Sequence, residues 1–287
     1  MTASAPPVRR RLVGKALRRY REGMGYTLDD VARMLECDRS KMSRIETGDR
    51  GIRGKELREL LAEYGIAGEQ KAILELLADP RGKFGWYLDY EGVLRGAWRD
   101  YLTLETAASK ISAYEAQRIP GLLQTPAYAR ALAETDPSLE DEAARDRAVG
   151  AVLARQRAIL EEGGPEVRLI IGQAALHQQV GSAAVMDEQL SALARIAADS
   201  AAVTVQVLPF ESGAHAAAAE GSLAILQFAG VAGLGLVHLG AISGGTCLEG
   251  QNDLVAYAGV FEQLRAFALD PARSALLLRG IAGVGPR

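Results

Sequence analysis

The side chains with the clearest chemical potential lie between positions 27 and 50. They are cationic or carry a hydroxyl group, and most would share one side of a helix that starts near position 39. Side chains of these types form hydrogen bonds to phosphates and to base edges in the major groove of duplex DNA. The residues that we expect to contact DNA are Thr27, Arg39, Ser40, Lys41, Ser43, Arg44 and Arg50.

Two short helices joined by a tight turn would position this surface. Thr27 and Asp38 are suited to N-cap helices over about 28–35 and 39–47. Ala32 offers the small residue that is needed where the first helix meets the second at a steep angle. The pattern therefore predicts a helix-turn-helix. The residues expected on its inner side are Val31, Leu35, Cys37, Met42 and Ile45.

The charge of the chain is divided unevenly. Residues 1–58 contain 15 Lys/Arg and 8 Asp/Glu, a net charge of +7, whereas the remaining residues contain 18 and 28, a net charge of −10. A basic module joined to an acidic one indicates that the N-terminal part binds a polyanion. Charge alone does not distinguish this from a basic solvated surface.

Helical periodicity continues through the N-terminal part of the chain. Apolar stripes that end at glycines predict an all-α domain over 1–79 with five helices. Their approximate bounds are 8–22, 28–35, 39–47, 55–64 and 69–77. Glycines and Pro80 then interrupt the pattern, which predicts a linker over 80–92.

Residues 93–287 mix strand and helix patterns, which predicts a larger α+β domain and an α+β, mostly α chain. A small sheet of about four strands is expected at 167–172, 203–210, 222–229 and 233–240. Helices are expected at about 94–111, from 126, and at 140–162, 186–198, 251–269 and 271–283.

The segments SKMSRIETGDR and LRRYREGMGYTLDDVA give a family resemblance over about 12–64. They resemble the recognition helix and the entry of Cro/cI-type (xenobiotic-response-element) helix-turn-helix regulators. The resemblance implies DNA binding and a structural ion pair between Arg21 and Glu46. The chain departs from the family at Glu36, where glycine is frequent, and a left-handed glutamate there would cost roughly 1 kcal/mol.

A second, looser resemblance covers the remainder of the chain. The segment PGLLQTPAYAR, together with RQRAIL and LIIGQAAL, is similar to the uncharacterised C-terminal domain of many actinobacterial regulators of this type. The resemblance implies a single-polypeptide regulator that is often paired with a small partner protein. It implies no particular ligand.

A pocket in the C-terminal domain is the second candidate site. Aromatic residues are scarce in this chain but cluster near the linker, where they would line a pocket or join the domains. The loop at 120–125 would form a pocket wall or would simply lead into a helix and pack on the core. The candidate pocket residues are Trp98, Tyr101, Tyr114, Gln124 and His215.

Catalysis and metal binding have no support in the sequence. The three histidines have no partners at a metal-ligand spacing, and no nucleophile, base and phosphate-loop motifs converge. We therefore expect no metal, no cofactor and no enzyme. Sparse cysteine, the lack of a signal-peptide pattern and the lack of a long apolar run lead us to expect a cytoplasmic protein without membrane contact.

These observations favour a sequence-specific transcription regulator that binds double-stranded DNA as a homodimer, because one recognition helix reads only a few base pairs. Its C-terminal domain would sense a partner protein or a small ligand. One alternative is an antitoxin-like interaction protein for which DNA binding is secondary. The other is a repressor that responds to a small molecule.

Overall fold

The computed structural model describes residues 6–79, 85–90, 92–94, 96–161, 163–219, 221–231, 233–241 and 244–283. The chain divides into two compact units. The first comprises 1–85 with 227–235, and the second comprises 86–226 with 236–287. Each unit is described by itself.

The first unit contains the five predicted helices. Their bounds are α1 Val8–Gly23, α2 Leu28–Met34, α3 Arg39–Glu46, α4 Gly54–Glu63 and α5 Gly68–Ala78. The apolar stripes of all five meet in one core, in which Leu17, Val31, Met42, Leu57 and Leu74 are almost completely buried. Burial of these stripes, rather than helix propensity, stabilises helices as short as α2 and α3.

The turn between α2 and α3 contains an unusual backbone conformation. Glu36 has a φ of 48°, in the left-handed region that disfavours residues with a Cβ. This is the conformation on which the predicted cost of about 1 kcal/mol depends. Leu35 and Cys37, expected on the inner side of the motif, are half-buried rather than fully enclosed.

The predicted linker forms a short turn in the part that is described. Residues Gly85–Tyr90 form a 3₁₀ helix, in which the Trp86 ring lies 6.3 Å from the rings of Tyr87 and Tyr90. Residues 80–84 and 91 of the predicted linker lie outside the described residues.

The second unit is built around a six-stranded sheet, so the prediction of about four strands is wrong. The order is β3-β2-β1-β4-β5-β6, with β1, β2 and β3 parallel and β5 and β6 antiparallel. The bounds are β1 Lys110–Glu115, β2 Glu166–Gly172, β3 Val203–Leu208, β4 Leu223–Gln227, β5 Gly235–Leu239 and β6 Thr246–Leu248.

The sequence did not predict strands β1 and β6, for different reasons. Strand β1 occupies the interior of the sheet, although the sequence predicted a helix up to about position 111 and no strand before position 167. Its centre contains Ser112 and Ala113, which give little strand signal, and only burial between neighbouring strands favours the extended form. Strand β6 has three residues at the sheet edge and is too short to show a period.

Helices surround the sheet. They are α6 Gly96–Glu105, α7 Pro126–Thr135, α8 Glu142–Leu160, α9 Gln173–His177, α10 Ala183–Asp199, α11 Gln251–Phe267 and α12 Pro271–Ile281. Phe261 and Leu264 of α11 pack against Tyr114, Ile170 and Val237 of the sheet. Because α6 ends at Glu105, the predicted helix over 94–111 was too long.

The outer edge of β3 is covered by the C-terminal segment. The Val207 amide donates to Ser274 Oγ at 3.0 Å, and the Leu269 amide donates to the Val207 carbonyl at 2.9 Å. Pairing these backbone groups protects an edge strand from pairing with another chain. None of the helices in the described part of the chain is long and apolar enough to cross a membrane.

Candidate nucleic-acid interface

Local hydrogen bonds define the start of each helix of the motif. Thr27 Oγ1 accepts from the Asp30 amide at 3.2 Å, while Asp30 Oδ2 accepts from the Thr27 amide at 2.8 Å. Asp38 Oδ1 accepts from the Lys41 amide at 2.9 Å and also from the Ser40 hydroxyl. These caps satisfy amides that have no partner within the helix. The hydrogen bonds from Thr27 lower the pKa of Asp30, and those from Ser40 and Lys41 lower that of Asp38.

Gly14 fixes the distance between α1 and α3. A Cβ placed on Gly14 would lie 2.5 Å from the Ile45 carbonyl oxygen and 2.6 Å from that of Glu46. Only glycine permits this approach of two backbones. The sequence prediction missed Gly14, although a glycine inside an otherwise periodic helix is a recognisable signal of close packing.

Arg21 and Glu46, which the family resemblance pairs, form a bidentate ion pair between α1 and α3. Arg21 Nε donates to Glu46 Oε1 at 2.7 Å, and Nη2 donates to Oε2 at 3.0 Å. The third nitrogen, Nη1, donates to the Tyr26 carbonyl at 2.8 Å. The hydrogen bond that Arg21 donates to Glu46 raises the pKa of Arg21 even though burial opposes its charge. The pair therefore joins the end of α3 to α1, and Arg21 also holds the segment that leads into α2 at Tyr26.

The outward side of α3 presents two arginines and a serine. Arg39, Ser40 and Arg44 are exposed, whereas Ser43 is half-buried. The Arg39 Nε lies 3.9 Å from Asp29 Oδ2, and both side chains are largely in solvent. Exposed pairs of this kind separate at little cost, so the guanidinium group can reach another anion. Thr27 and Arg50 are exposed as well.

The position of Lys41 differs from the one that the sequence predicted. Its Nζ donates to Glu56 Oε1 on α4 at 2.7 Å, and each of the two side chains is only 16% exposed. The expectation that Lys41 lies on the open side of α3 is wrong, because the third residue of the helix turns toward α4. The outward cations of α3 are therefore Arg39 and Arg44 among the residues described.

The loop after α3 lies against two arginines of α1. Gly48 has a φ of +84°, and a Cβ there would lie 2.8 Å from the Arg11 side chain. The Nε of the exposed Arg10 lies 3.7 Å from where a Cβ on Gly51 would stand. Arg53, just before α4, is exposed too. The predicted contact set did not include Arg10 or Arg53. From the sequence, the basic run Arg9, Arg10 and Arg11 could be a phosphate-contacting arm or a solvated tail, and the charge excess of residues 1–58 was the only signal for Arg53.

The candidate pocket residues of the second unit fall into separate groups. Trp98 and Tyr101 stack with ring centroids 5.0 Å apart, and both rings lie close to His238. Tyr114 and His215 form a different, T-shaped pair at 5.7 Å. Gln124 is buried and its Nε2 donates to the Ile119 carbonyl at 2.8 Å. Among the described contacts, the predicted pocket residues therefore form two separate aromatic pairs, and Gln124 instead stabilises the loop at 120–125.

A buried charge network accompanies Trp98 and Tyr101. Arg155 Nε and Nη2 donate to the two carboxylate oxygens of Glu105, each at 2.7 Å, and the Tyr101 hydroxyl donates to Glu105 at 2.9 Å. The Arg155 guanidinium carbon lies 4.9 Å from the centre of the Trp98 ring. Burial opposes the charge on Arg155, but Glu105 outweighs this and raises its pKa. The sequence did not predict that Glu105, Arg155 and His238 would meet these two rings, although Arg155 opens the RQRAIL segment of the family resemblance.

The PGLLQTP segment is braced to the core by glutamine side chains. Gln156 Nε2 donates to the Gly121 and Gln124 carbonyls at 2.8 Å each. Gln189 accepts from the Thr125 amide at 2.7 Å and donates to the Leu123 carbonyl at 2.8 Å. These bonds satisfy the backbone of a buried loop and favour the interpretation of a helix-entry segment over that of a pocket wall.

An open cleft of about 480 Å³ lies elsewhere in the second unit, beside the first residues of β2 and β3. It contains none of the candidate pocket residues. Its lining is Glu166, Arg168, Thr204, Gln206, Arg265, Ala266, Ala268, Asp270 and Pro271. No group of three or more His, Cys, Asp or Glu side chains in the described ranges could hold a metal ion.

Comparison with family models shows what each unit is similar to. Residues 98–280 match a model described as Domain of unknown function (DUF5753), which is well over half of the chain. The chain belongs to the DUF5753 family. Residues 12–74 match a model described as Helix-turn-helix domain, which extends from α1 into α5. No curated protein and no solved structure matched this DUF5753-family chain.

Proposed function

We propose that this chain is a sequence-specific transcription regulator of the Cro/cI type that binds duplex DNA through α3. The observation that carries the proposal is the outward side of α3, where Arg39, Ser40 and Arg44 are exposed while the opposite side is buried. Bidentate contacts from arginine to guanine are the commonest base-specific contacts in the major groove. The match to a helix-turn-helix model over 12–74 supports the same function.

The proposed complex contains two copies of the chain. One recognition helix covers only a few base pairs, and two copies on half-sites about 10 base pairs apart would lengthen the site and raise the affinity. The exposed arginines around α3, Arg10, Arg50 and Arg53, would contact phosphates and set the register of the helix in the groove.

Selection of duplexes from a random library by the wild-type chain tests this function and yields the operator. The double variant Arg39→Ala/Arg44→Ala should lose sequence preference, with a penalty of roughly 1–3 kcal/mol for each arginine that contacts guanine. Arg33→Ala is the matched control, because Arg33 is exposed on α2 and pairs with Asp30. Recovery of the same motif by the double variant at unchanged affinity would refute the assignment.

We further propose that the DUF5753 domain regulates DNA binding by taking a small partner protein or a small ligand, and that the chain is not an enzyme. The acidic charge of the C-terminal part disfavours a direct role in DNA contact, which supports a separate task. Affinity of the full chain for its operator, measured with and without candidate effectors, tests this regulation. An antitoxin-like role would appear as partner binding that does not depend on operator DNA.

A further inference from the structure

The ion pair between Lys41 and Glu56 differs from the other charged contacts of α3. Nζ and Oε1 lie 2.7 Å apart and each side chain is 16% exposed, whereas Arg39 is 68% exposed beside Asp29. Among the three cations of α3, Lys41 is the one that protein atoms largely enclose. It follows Ser40, which lies on the outward side, and so stands next to the surface that we propose for DNA.

Glu56 is held in its charged form and in one position. Its Oε2 accepts from the Arg53 amide at 3.4 Å, so the two carboxylate oxygens contact α3 and the start of α4 respectively. Burial opposes ionisation of Glu56, but the hydrogen bonds from Lys41 and Arg53 outweigh it and lower its pKa. Glu56 is therefore an anion at neutral pH and neutralises the Lys41 ammonium.

We propose that Glu56 is a specificity-determining residue that withholds Lys41 from the DNA backbone. A lysine that reaches a phosphate strengthens binding to every sequence and carries no sequence information. Held by Glu56, Lys41 instead acts as a positioning residue that links the first turn of α3 to the first turn of α4. This inference rests on the proposed insertion of α3 into a DNA groove.

The experiment measures the affinity of the full chain for a random-sequence duplex and for the selected operator as salt is varied. In Glu56→Gln the released Lys41 should bind a phosphate, steepening the slope of log K against log salt by about 0.9. Affinity for the random duplex should rise roughly three- to tenfold at 0.1 M salt, and the ratio of operator to random affinity should fall.

Three further variants separate the release of Lys41 from a change in net charge. Lys41→Met/Glu56→Gln should return the slope to that of the wild type. Glu59→Gln removes the same charge from α4, but its partner Lys55 is already 84% exposed, so the slope should not change. Lys41→Met alone should also keep the wild-type slope. This variant tests the proposal independently, even if Glu56→Gln does not fold.

The outcomes are distinct. A wild-type slope in a folded Glu56→Gln chain, a steeper slope that persists in the double variant, or a slope reduced by about 0.9 in Lys41→Met would each overturn the role of Glu56. In those cases the proposed DNA binding by α3 would stand. A wild-type chain that binds no duplex would overturn the proposed function and this inference together.

Discussion

The outward side of α3 in the first unit and the network around Glu105 in the second hold their charges in opposite environments. In the first unit, the arginines on one side of α3 are exposed, and the core beneath them is apolar apart from the buried pair of Arg21 and Glu46. In the second unit, Glu105 is fully buried and meets Arg155 under the ring of Trp98. Exposed charges contribute little to folding and remain available to a partner, whereas a buried pair is costly to disrupt. Substitution of the outward arginines should therefore affect DNA binding, whereas substitution of the Glu105–Arg155 pair should affect stability.

The largest effect is expected from breaking the buried pair. Glu105→Ala leaves the Arg155 charge without its partner and should reduce the free energy of unfolding by roughly 3–5 kcal/mol. Denaturant unfolding followed by circular dichroism measures this. The control is Glu262→Ala, whose exposed pair with Arg265 should contribute about 0–1 kcal/mol. Equal losses in the two variants would erase the distinction between buried and exposed charge.

The next effect concerns the contact that orients α3. Gly14→Ala forces a methyl group against the carbonyls of Ile45 and Glu46 and should reduce stability by roughly 1–3 kcal/mol. Because α3 must move to accommodate it, operator affinity should fall as well. Gly23→Ala is the control, since nothing lies within 4 Å of its added Cβ. If Gly14→Ala kept both stability and affinity, α1 would not determine the position of α3.

A smaller gain is expected at the turn between α2 and α3. Glu36→Gly removes the strain of a left-handed backbone at a φ of 48° and should raise the free energy of unfolding by about 1 kcal/mol. Glu36→Ala keeps the Cβ and should give no such gain. Thermal unfolding of both variants distinguishes backbone strain from a stabilising contact of the carboxylate. Both variants lack the carboxylate, so they would lose stability to the same extent if that contact mattered.

The smallest effect is expected on stability when the pH is lowered through the range in which His238 titrates. Burial lowers the pKa of His238, whose ring packs against Trp98 and Tyr101. The unfolded chain then binds the proton more tightly, so this stability is present above the ordinary pKa of about 6.5 and is lost as the pH falls below it. Unfolding of the wild type and of His238→Gln between pH 7.5 and 5.5 should show a weaker pH dependence in the variant. Identical curves would contradict the assignment.

The helices and cations of the first unit could be predicted because their signals are local. The spacing of Met42 and Ile45 places both on the buried side of α3, and therefore Arg39 and Arg44 on the other side. The same periodicity could not show that Lys41 would meet Glu56. The two residues are fifteen positions apart, and only the packing of α4 on α3 brings them together.

The sequence by itself determined the helix-turn-helix, the outward arginines and the mixed α and β character of the second unit. The tertiary structure alone decided that β1 lies inside the sheet, that Glu105, Arg155 and His238 surround Trp98 and Tyr101, and that Glu56 holds Lys41. The physical reason is the separation in sequence between the residues that interact. Helix periods and caps depend on residues within a few positions, whereas strand pairing and buried charge depend on partners that are distant in the chain.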